Sequence, residues 1–143
     1  MKDNAYILKL KNKLKELGVR KGSTIIVCAD ILKFLILLKK KKINFNLEHF
    51  INLLINLVGK QGTIVFYSFN WNFFEGKVFD YKNSKSFSGS LSNMALKRND
   101  FKRSKNPVYS LLVSGRYQKD LCNMNHSDCF SLKSPFGFLL KKK

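Results

Sequence analysis

The chain has few acidic residues, few histidines, few prolines and no long apolar run. Its 143 residues include nine Asp and Glu, two His, two Pro and three Cys. Paired carboxylates, a Ser-His-Asp order and a Walker-type phosphate loop are not evident. The longest apolar run, from Ile31 to Leu38, contains Lys33 and is far shorter than the ~20 residues that span a bilayer. We therefore expect neither a transmembrane segment nor a membrane partner.

The numbers of cysteine, proline and glycine residues indicate the redox compartment of the protein and its number of domains. The three cysteines, Cys28, Cys122 and Cys129, are odd in number, and the first residues do not form an apolar signal core. We therefore expect reduced thiols and a cytoplasmic protein. Pro and Gly are sparse, and 45% of the residues are hydrophobic, which is enough to build a core. Residues 1–143 are predicted to form one domain.

Positive charge is the strongest compositional feature. Lys and Arg number 27, which gives a net charge of +18. Such a charge suits a polyanionic partner, which could be nucleic acid, acidic lipid or a phosphorylated ligand. It is equally what a chain rich in solvated lysines carries, because the lysines are spread along the sequence with Lys39–Lys42 as the one dense block. We favour the second interpretation and do not expect nucleic acid as a partner.

Hydrophobic periodicity predicts an α/β fold in which helices pack on one shared sheet. Helices are predicted over residues 4–17, 31–42, 47–58, 90–98, 116–122 and from 135 onwards, and strands over 23–28, 63–67 and 109–114. The long segment from Ser68 to Ser86 is rich in aromatic residues, and a loop of that length is usually functional.

Several short motifs follow one another along the chain. They are the run from Gly22 to Leu32, Gly59-Lys60-Gln61-Gly62-Thr63, Ser88-Gly89, and Arg103-Ser104-Lys105-Asn106-Pro107-Val108-Tyr109-Ser110 followed by Gly115. Together they resemble the aminoglycoside 3-N-acetyltransferase family, also called antibiotic N-acetyltransferases, and are closest to its sugar and polysaccharide branch. The resemblance runs from about Leu14 to Leu140 and covers the N-terminal half of the family's domain.

The resemblance implies a fold, an activity and a co-substrate. The fold would be α/β and three-layer-like, with helices packed on a sheet, and residues 1–143 would be a single truncated acetyltransferase-like domain. The activity would be transfer of an acetyl group from acetyl-CoA to an amine of an amino-sugar or an aminoglycoside, without a metal. Asp30 in the first motif fits nucleotide-sugar or polysaccharide chemistry at least as well as antibiotic resistance.

The resemblance also implies the residues that contact the co-substrate. They are Asp30, Ser88, Arg103, Ser104 and Ser110. Asp30 follows the first strand, where a polar group suits ligand binding, although it could equally cap the next helix. Arg103 would hold CoA phosphates by charge and fork geometry, or it could be a surface arginine of a basic protein. Asp30, Arg103 and Ser110, together with Asp80, should converge around one cleft at strand ends.

Tyr67 and Asp80 are the residues implied to contact the acceptor. Sugar rings stack on aromatic faces, and a carboxylate can orient hydroxyl or ammonium groups. The phenylalanines of the same loop, Phe73, Phe74 and Phe79, are interpreted as anchors that hold the loop on the core.

No catalytic residue is predicted within this chain. Neither of the two histidines, His49 and His126, lies in a segment that matches the one bearing the family's catalytic His, which the resemblance places in the C-terminal half. Asn106 stands where the family favours His, and an amide cannot act as a general base. We therefore expect the chain alone to be inactive, either as a decayed remnant or as one piece of a split enzyme with a separately encoded C-terminal half.

Two alternatives from other classes remain open. A small basic protein could bind nucleic acid through dispersed lysines and exposed aromatic rings. Cys122, His126 and Cys129 could suggest a zinc half-site, but their spacing fits no common zinc pattern and a fourth ligand is not evident, so no metal is expected.

Overall fold

The structure, a computed structural model, describes residues 2–126 and 128–142. Its helices and strands are, in chain order, α1 (Lys2–Glu16), β1 (Thr24–Val27), α2 (Leu32–Lys40), α3 (Leu47–Val58), β2 (Thr63–Tyr67), a 3-10 helix (Asn72–Glu75), α4 (Ser90–Leu96), β3 (Lys102–Arg103), β4 (Leu111–Gly115), α5 (Gln118–Asn123) and α6 (Pro135–Lys141). Each predicted element is present near its predicted bounds. The sequence patterns did not predict the two-residue strand β3 or the 3-10 helix.

The four strands form one sheet in the order β1-β2-β4-β3. β1 and β2 run parallel, with Thr24 opposite Thr63, whereas β4 is antiparallel to both β2 and β3. The prediction that the three longer strands share a sheet is therefore confirmed. The ends of β1 and β2 and the start of β4 meet at one edge, because Tyr67 pairs with Leu111.

Helices cover both faces of the sheet, so the fold is an α/β arrangement of three layers. On one face, Ile64 and Phe66 of β2 pack with α3 and α4. On the other face, Val65 packs with residues of α5 and α6. β2 is consequently buried on both sides, which explains why its sequence is an almost unbroken apolar run rather than an alternating one.

Helix α3 shows how the sequence sets the bounds of an element. Asn46 precedes it in an extended conformation, and its side-chain oxygen accepts a hydrogen bond from the backbone N–H of His49 at 2.9 Å. Gly59 ends the helix with a φ of 65°, which a residue with a side chain rarely adopts. The face between them buries Ile51 and Leu54 against the sheet.

Gly115 closes β4 at a point where the backbone is crowded. Its φ is 106°, and a Cβ atom placed there would collide with the carbonyl oxygen of Gly62. The backbone N–H of Arg116 donates to that same oxygen at 2.9 Å. Gly115 thus allows a close approach between the start of β2 and the end of β4, whereas a Cβ atom at Gly62 would collide with Val58 at the end of α3.

The β1 side of the molecule leaves apolar surface exposed. β1 is an edge strand, and the side chain of Ile26 is 44% exposed. Leu32, Ile36 and Leu37 of α2 are also exposed. Within residues 2–126 and 128–142, no helix is both long and apolar enough to cross a membrane.

Candidate functional site

Arg103 is the centre of a buried polar cluster beneath the long aromatic loop. β3 points Lys102 outward and Arg103 inward, so the Arg103 side chain is only 2% exposed. Its Nε donates to Ser110 Oγ at 2.9 Å, Nη1 to the carbonyl oxygen of Ser84 at 2.5 Å, and Nη2 to the carbonyl oxygen of Ser68 at 2.6 Å. We call Arg103, Ser110, Ser68 and Ser84 the Arg103 cluster. It joins β3, the start of β4 and both ends of the loop.

Ser110 and Ser68 complete the cluster. Ser110 is fully buried, and its hydroxyl donates to the carbonyl oxygen of Ser68 at 2.5 Å while accepting from Arg103. The Ser68 hydroxyl is also fully buried and has no hydrogen-bond partner among the described residues. The Ser68 carbonyl therefore receives two donors, whereas its own side chain receives none.

Burial and neighbouring groups set the charge state of Arg103. Burial lowers the pKa of the guanidinium to about 10, and Tyr81 and Asp80 act in the opposite direction. The side chain therefore remains protonated at neutral pH. Its Cζ lies 4.8 Å from the centre of the Phe79 ring, a cation–π contact that holds this part of the loop.

The loop phenylalanines differ from one another. Phe79 is half-buried against Arg103, in agreement with its predicted role as an anchor. Phe73 and Phe74, on the 3-10 helix, are 48% and 71% exposed, so the expectation that they anchor the loop is wrong. A one-turn helix turns these two rings towards solvent, which their composition alone could not reveal.

Asp80 directs its carboxylate into its own turn. Oδ1 accepts hydrogen bonds from the backbone N–H groups of Lys82 and Asn83, and Oδ2 accepts from the Asn83 side chain at 2.7 Å. The Asn83 amide and these backbone donors lower the pKa of Asp80. The group is exposed and ionised, and a contact with an acceptor remains a prediction.

Asp30 lies one residue before Ile31, the N-cap residue of α2, so it is close to the capping position that the sequence offered as its alternative role without occupying it. Its Oδ1 accepts a hydrogen bond from the backbone N–H of Leu32 at 3.1 Å, at the start of α2. Arg103 and Ser110 are in contact, and Asp80 is close enough to raise the pKa of Arg103. Among the described residues no hydrogen bond or ion pair links Asp30 to these three, and the convergence of all four around one cleft stays a prediction.

Ser88 and Ser104 hold backbone segments in place. The Ser88 hydroxyl accepts from the backbone N–H of Phe69 at 3.0 Å. The Ser104 hydroxyl, which is buried, accepts from the N–H of Leu111 at 2.8 Å. The predicted co-substrate contacts of both serines remain predictions, while the structure shows what they do for the fold.

An aromatic platform lies at the edge where β2 ends and β4 begins. It consists of Tyr67, Phe69, Trp71, Tyr109, Phe130 and Phe136, whose neighbouring ring centres are 4.9–6.2 Å apart. Tyr67 stacks on Phe69 at 4.9 Å with an interplanar angle of 19°. Phe130 is 68% exposed and Trp71 is 39% exposed, so the platform presents ring surface to solvent.

The sequence predicted only one member of this platform as an acceptor contact, namely Tyr67. Phe130 and Phe136 were missed because they lie far along the chain. Phe136 is on α6, and Phe130, in the segment before α6, contacts both Phe136 and Tyr109. Ser134 caps the start of α6, and its hydroxyl accepts from the N–H of Gly137 at 3.2 Å. The Ser-Pro signal for that helix was visible in the sequence, but the side of the sheet on which it packs was not.

Asn106 and His126 hold loops near the platform, whereas His49 lies elsewhere, on a helix. The Asn106 side-chain oxygen accepts from the N–H groups of Val108 and Tyr109, and its amide donates to Cys129 Sγ at 3.2 Å. Nδ1 of His126 lies 2.6 Å from the carbonyl oxygen of Asp128, in the segment that leads to Phe130. His49 is on α3, where its ring packs 6.2 Å from that of Phe45.

The cysteines are separated by environment. Cys122 is buried and donates to the carbonyl oxygen of Lys102 at 3.3 Å, and burial raises its pKa to about 12. Cys28 is exposed at the end of β1. In the part of the chain that the structure describes, no three His, Cys, Asp or Glu side chains are grouped so that they could hold a metal ion.

Fold and site together define an α/β protein of three layers whose aromatic loop is tied down by a buried arginine. A family model described as aminoglycoside 3-N-acetyltransferase matches residues 39–143. Because that match covers well over half of the sequence, the chain belongs to the aminoglycoside 3-N-acetyltransferase family, as the motifs predicted. No curated protein sequence matches the chain significantly.

Solved structures of related fold agree with this assignment. The YokD protein from Bacillus subtilis superposes with a TM-score of 0.74 at 21% identity, over 93% of this chain and 60% of that one. AAC-IIIb, in a binary structure with CoASH, superposes with a TM-score of 0.75 at 20% identity, over 95% of this chain and 56% of that one. AAC-VIa bound to sisomicin superposes with a TM-score of 0.77 at 16% identity, over 94% of this chain and 55% of that one.

These identities show a shared fold and nothing finer. The chain spans between 55% and 60% of the length of those three proteins, while almost all of it is matched. The resemblance to the N-terminal half of the family's domain, first suggested by the motifs, is therefore consistent with the superpositions.

Proposed function

We propose that this chain is the N-terminal part of an acetyl-CoA-dependent N-acetyltransferase whose acceptor is an amine on an amino-sugar or an aminoglycoside. Family membership supports the type of reaction. The structural neighbour determined with CoASH supports acetyl-CoA as the co-substrate, and the neighbour bound to sisomicin supports an amine-bearing sugar as the acceptor. Within this chain, the observation that carries the proposal is the aromatic platform.

The platform has the chemistry that a sugar requires. Pyranose rings present C–H groups on their faces, and these pack well on exposed aromatic rings. Trp71 and Phe130 offer such faces at the edge where β2 ends. The platform borders the Arg103 cluster through the chain itself, because Phe69 directly follows Ser68.

Electrostatics favours an acceptor with one amine over a heavily aminated one. An aminoglycoside with several ammonium groups is repelled by a chain of net charge +18. The carboxylate held beside the platform is that of Asp128, which accepts from the N–H groups of Ser131 and Phe130. Those hydrogen bonds, led by that of Ser131, lower its pKa, so it is ionised and can meet a single ammonium group.

The Arg103 cluster would act by positioning rather than by chemistry. In acetyl transfer the amine nitrogen forms a bond to the thioester carbonyl carbon, the C–S bond breaks, and a base accepts the proton of the amine. The three donating nitrogens of Arg103 are each engaged with Ser110, Ser84 or Ser68, so this side chain fixes the loop that borders both substrates. Asp30, Ser88, Ser104 and Ser110 are proposed to place the backbone against CoA in the same way.

We further propose that the 143 residues bind substrate without turning it over. Asn106 cannot serve as a base, and His49 packs on α3 beside Phe45 rather than at the platform. His126 is the one histidine whose loop leads to the platform, so it is the residue to test. A separately encoded C-terminal half has no support from the comparisons and stays a prediction.

Acceptor binding can be measured through the single tryptophan of the chain, Trp71, which lies on the platform. Glucosamine should change its fluorescence saturably, more strongly than N-acetylglucosamine and more strongly than sisomicin. Phe130→Ala should weaken binding by about tenfold, the effect of roughly 1.4 kcal/mol of lost stacking. Phe74→Ala, which removes an exposed ring outside the platform, is the matched control and should leave the affinity unchanged.

Turnover is tested with acetyl-CoA and the same acceptors by following release of the CoA thiol. We expect CoA binding in calorimetry but no thiol release. Absence of binding to both CoA and glucosamine would refute the proposed function. Acetyl transfer by the chain alone that is lost in His126→Ala would refute the proposed inactivity and identify His126 as the base.

A further inference from the structure

A basic groove opens beside the Arg103 cluster, between the end of α4, strand β3 and the loop at residues 81–85. Its cavity volume is about 920 Å³, within the range of small-molecule sites. Its lysines are Lys82, Lys85, Lys97 and Lys102, which we call the groove lysines. They come from three separate segments of the chain, which the sheet and α4 bring to one opening.

Within the described part of the chain, the groove lysines form no ion pairs. All four are exposed, and none forms an ion pair with any residue that the structure describes. Arg98, which also lines the groove, differs because it pairs with Glu48 at 2.6 Å and with Asp100 at 2.7 Å. No carboxylate is among the described lining residues. The groove therefore presents four lysines that form no ion pair with a described residue, of which Lys82 lies near enough to the Asp80 carboxylate to lower the pKa of that carboxyl.

The floor of the groove is apolar. Leu96, Phe101 and Leu112 lie beneath the lysines, and Phe101 and Leu112 belong to the core. Tyr81, which is 38% exposed, offers a ring at one side. A cationic rim over an apolar floor with a flanking aromatic ring suits a ligand that carries phosphates together with a planar ring, and it disfavours a cationic one.

We propose that this groove binds a stretch of single-stranded nucleic acid through its phosphates. The proposal goes beyond acetyl transfer, since it requires no acetyl donor and no amine acceptor. It also reverses the expectation, drawn from composition, that nucleic acid is not a partner. The lysines that look dispersed in the sequence converge at the groove, whereas the dense block at Lys39–Lys42 lies at the end of α2 and is not among the lining residues.

The test compares two variants of equal charge loss. The groove variant carries Lys82→Gln, Lys85→Gln, Lys97→Gln and Lys102→Gln. The control variant carries Lys39→Gln, Lys40→Gln, Lys41→Gln and Lys42→Gln. Each removes four positive charges from exposed lysines, so a general effect of net charge must appear equally in both. Circular dichroism and urea unfolding check that both retain the fold.

The probes are a labelled twelve-residue oligothymidylate and inorganic pyrophosphate, titrated between 50 and 200 mM salt. Four phosphate contacts predict a slope of log affinity against log salt of about −2.8 for a single strand, or an affinity loss of about 50-fold over that range. In the groove variant, the slope of log affinity against log salt should become flatter by about 2.8, and the oligonucleotide should bind at least tenfold more weakly at 50 mM salt. The control variant should stay within about threefold of the wild type.

The two probes distinguish the sources of the phosphate. Binding of the oligonucleotide with little affinity for pyrophosphate is the expected result. Stoichiometric binding of pyrophosphate would overturn the proposal, because the groove would then hold a small phosphorylated ligand, the class to which CoA belongs. Equal losses in the groove and control variants would overturn the proposal, because binding would then reflect net charge alone. Absence of saturable binding of the oligonucleotide at 50 mM salt would overturn it as well. Neither result bears on glucosamine binding, which tests the proposed function separately.

Discussion

Replacing Arg103 by alanine removes the hydrogen bonds and the cation–π contact by which this side chain holds the aromatic loop on the sheet. The guanidinium donates to Ser110 Oγ and to the carbonyl oxygens of Ser84 and Ser68, and it lies over the Phe79 ring. Because the side chain is 2% exposed, alanine also leaves a cavity. The expected result is a less stable protein in which the loop is loosened before the sheet unfolds.

The magnitude follows from which acceptors remain satisfied. The Ser68 carbonyl keeps the Ser110 hydroxyl as a donor, and Ser84 is only half-buried, so water can replace its lost partner. A buried acceptor left without a donor costs about 1–3 kcal/mol, and a lost cation–π contact about 0.5–2 kcal/mol. Burial of the guanidinium is itself unfavourable and lowers the pKa of Arg103 to about 10. Removing this buried charge therefore offsets part of the cost. We expect the free energy of unfolding to fall by about 2–4 kcal/mol.

The assay is urea unfolding followed by the fluorescence of Trp71, with an unchanged denaturant slope as the criterion for comparing stabilities. Arg103→Lys is the control for charge, and we expect it to recover less than half of the loss because an ammonium group cannot reproduce three donors in fork geometry. A double-mutant cycle with Ser110→Ala should give a coupling of about 0.5–3 kcal/mol.

A loss of less than about 0.5 kcal/mol for Arg103→Ala would be the value of an ordinary surface substitution and would refute the buried-cluster argument. If such a variant kept its stability but lost CoA binding, Arg103 would instead be a free guanidinium that holds phosphate.

Three further predictions concern other positions. Since burial raises the pKa of Cys122 to about 12, its thiolate fraction at pH 8 is about three orders of magnitude below that of an ordinary thiol. Iodoacetamide should therefore label exposed Cys28 in the folded protein and Cys122 only after unfolding, and equal labelling by mass spectrometry would contradict this. Gly115→Ala should cost at least about 2 kcal/mol more in urea unfolding than Gly76→Ala, since both glycines have positive φ but only the first has backbone where a Cβ would lie. Hydrogen bonds from the side-chain amide and backbone N–H groups of its turn hold the pKa of Asp80 below its ordinary 3.8. The turn should therefore be stabilised above that pH and lose this contribution as the pH falls through the lower folded-state pKa, and a carboxyl NMR titration with a midpoint at or above 3.8 would contradict the assignment.

Local signals predicted most of the secondary structure. α3 was predicted at residues 47–58 and spans Leu47–Val58, because Asn46 and Gly59 carry its start and stop within the sequence itself. The two-residue strand β3 was not predicted, since Lys102–Arg103 has no apolar pattern. Its pairing depends on β4, a partner that local sequence does not reveal.

The candidate site was predicted in part. The motifs drew attention to Arg103, Ser110 and Asp80, which the structure does bring near one another. They did not reveal that the Arg103 side chain is buried, because charge alone suggests exposure, and burial depends on the loop that folds over it. Phe130 was missed for a related reason, as it reaches the platform only once α6 has packed on the sheet.

The sequence by itself determined the family, the α/β class and the bounds of the longer elements, because these depend on periodicity, caps and short motifs that are read along the chain. Only the tertiary structure decided which charges act together. Four lysines that look scattered face one groove, whereas the block at Lys39–Lys42 stays outside it. The physical reason is that electrostatic and hydrogen-bond energies depend on distance in space, which the order of residues does not fix until the sheet has brought distant segments together.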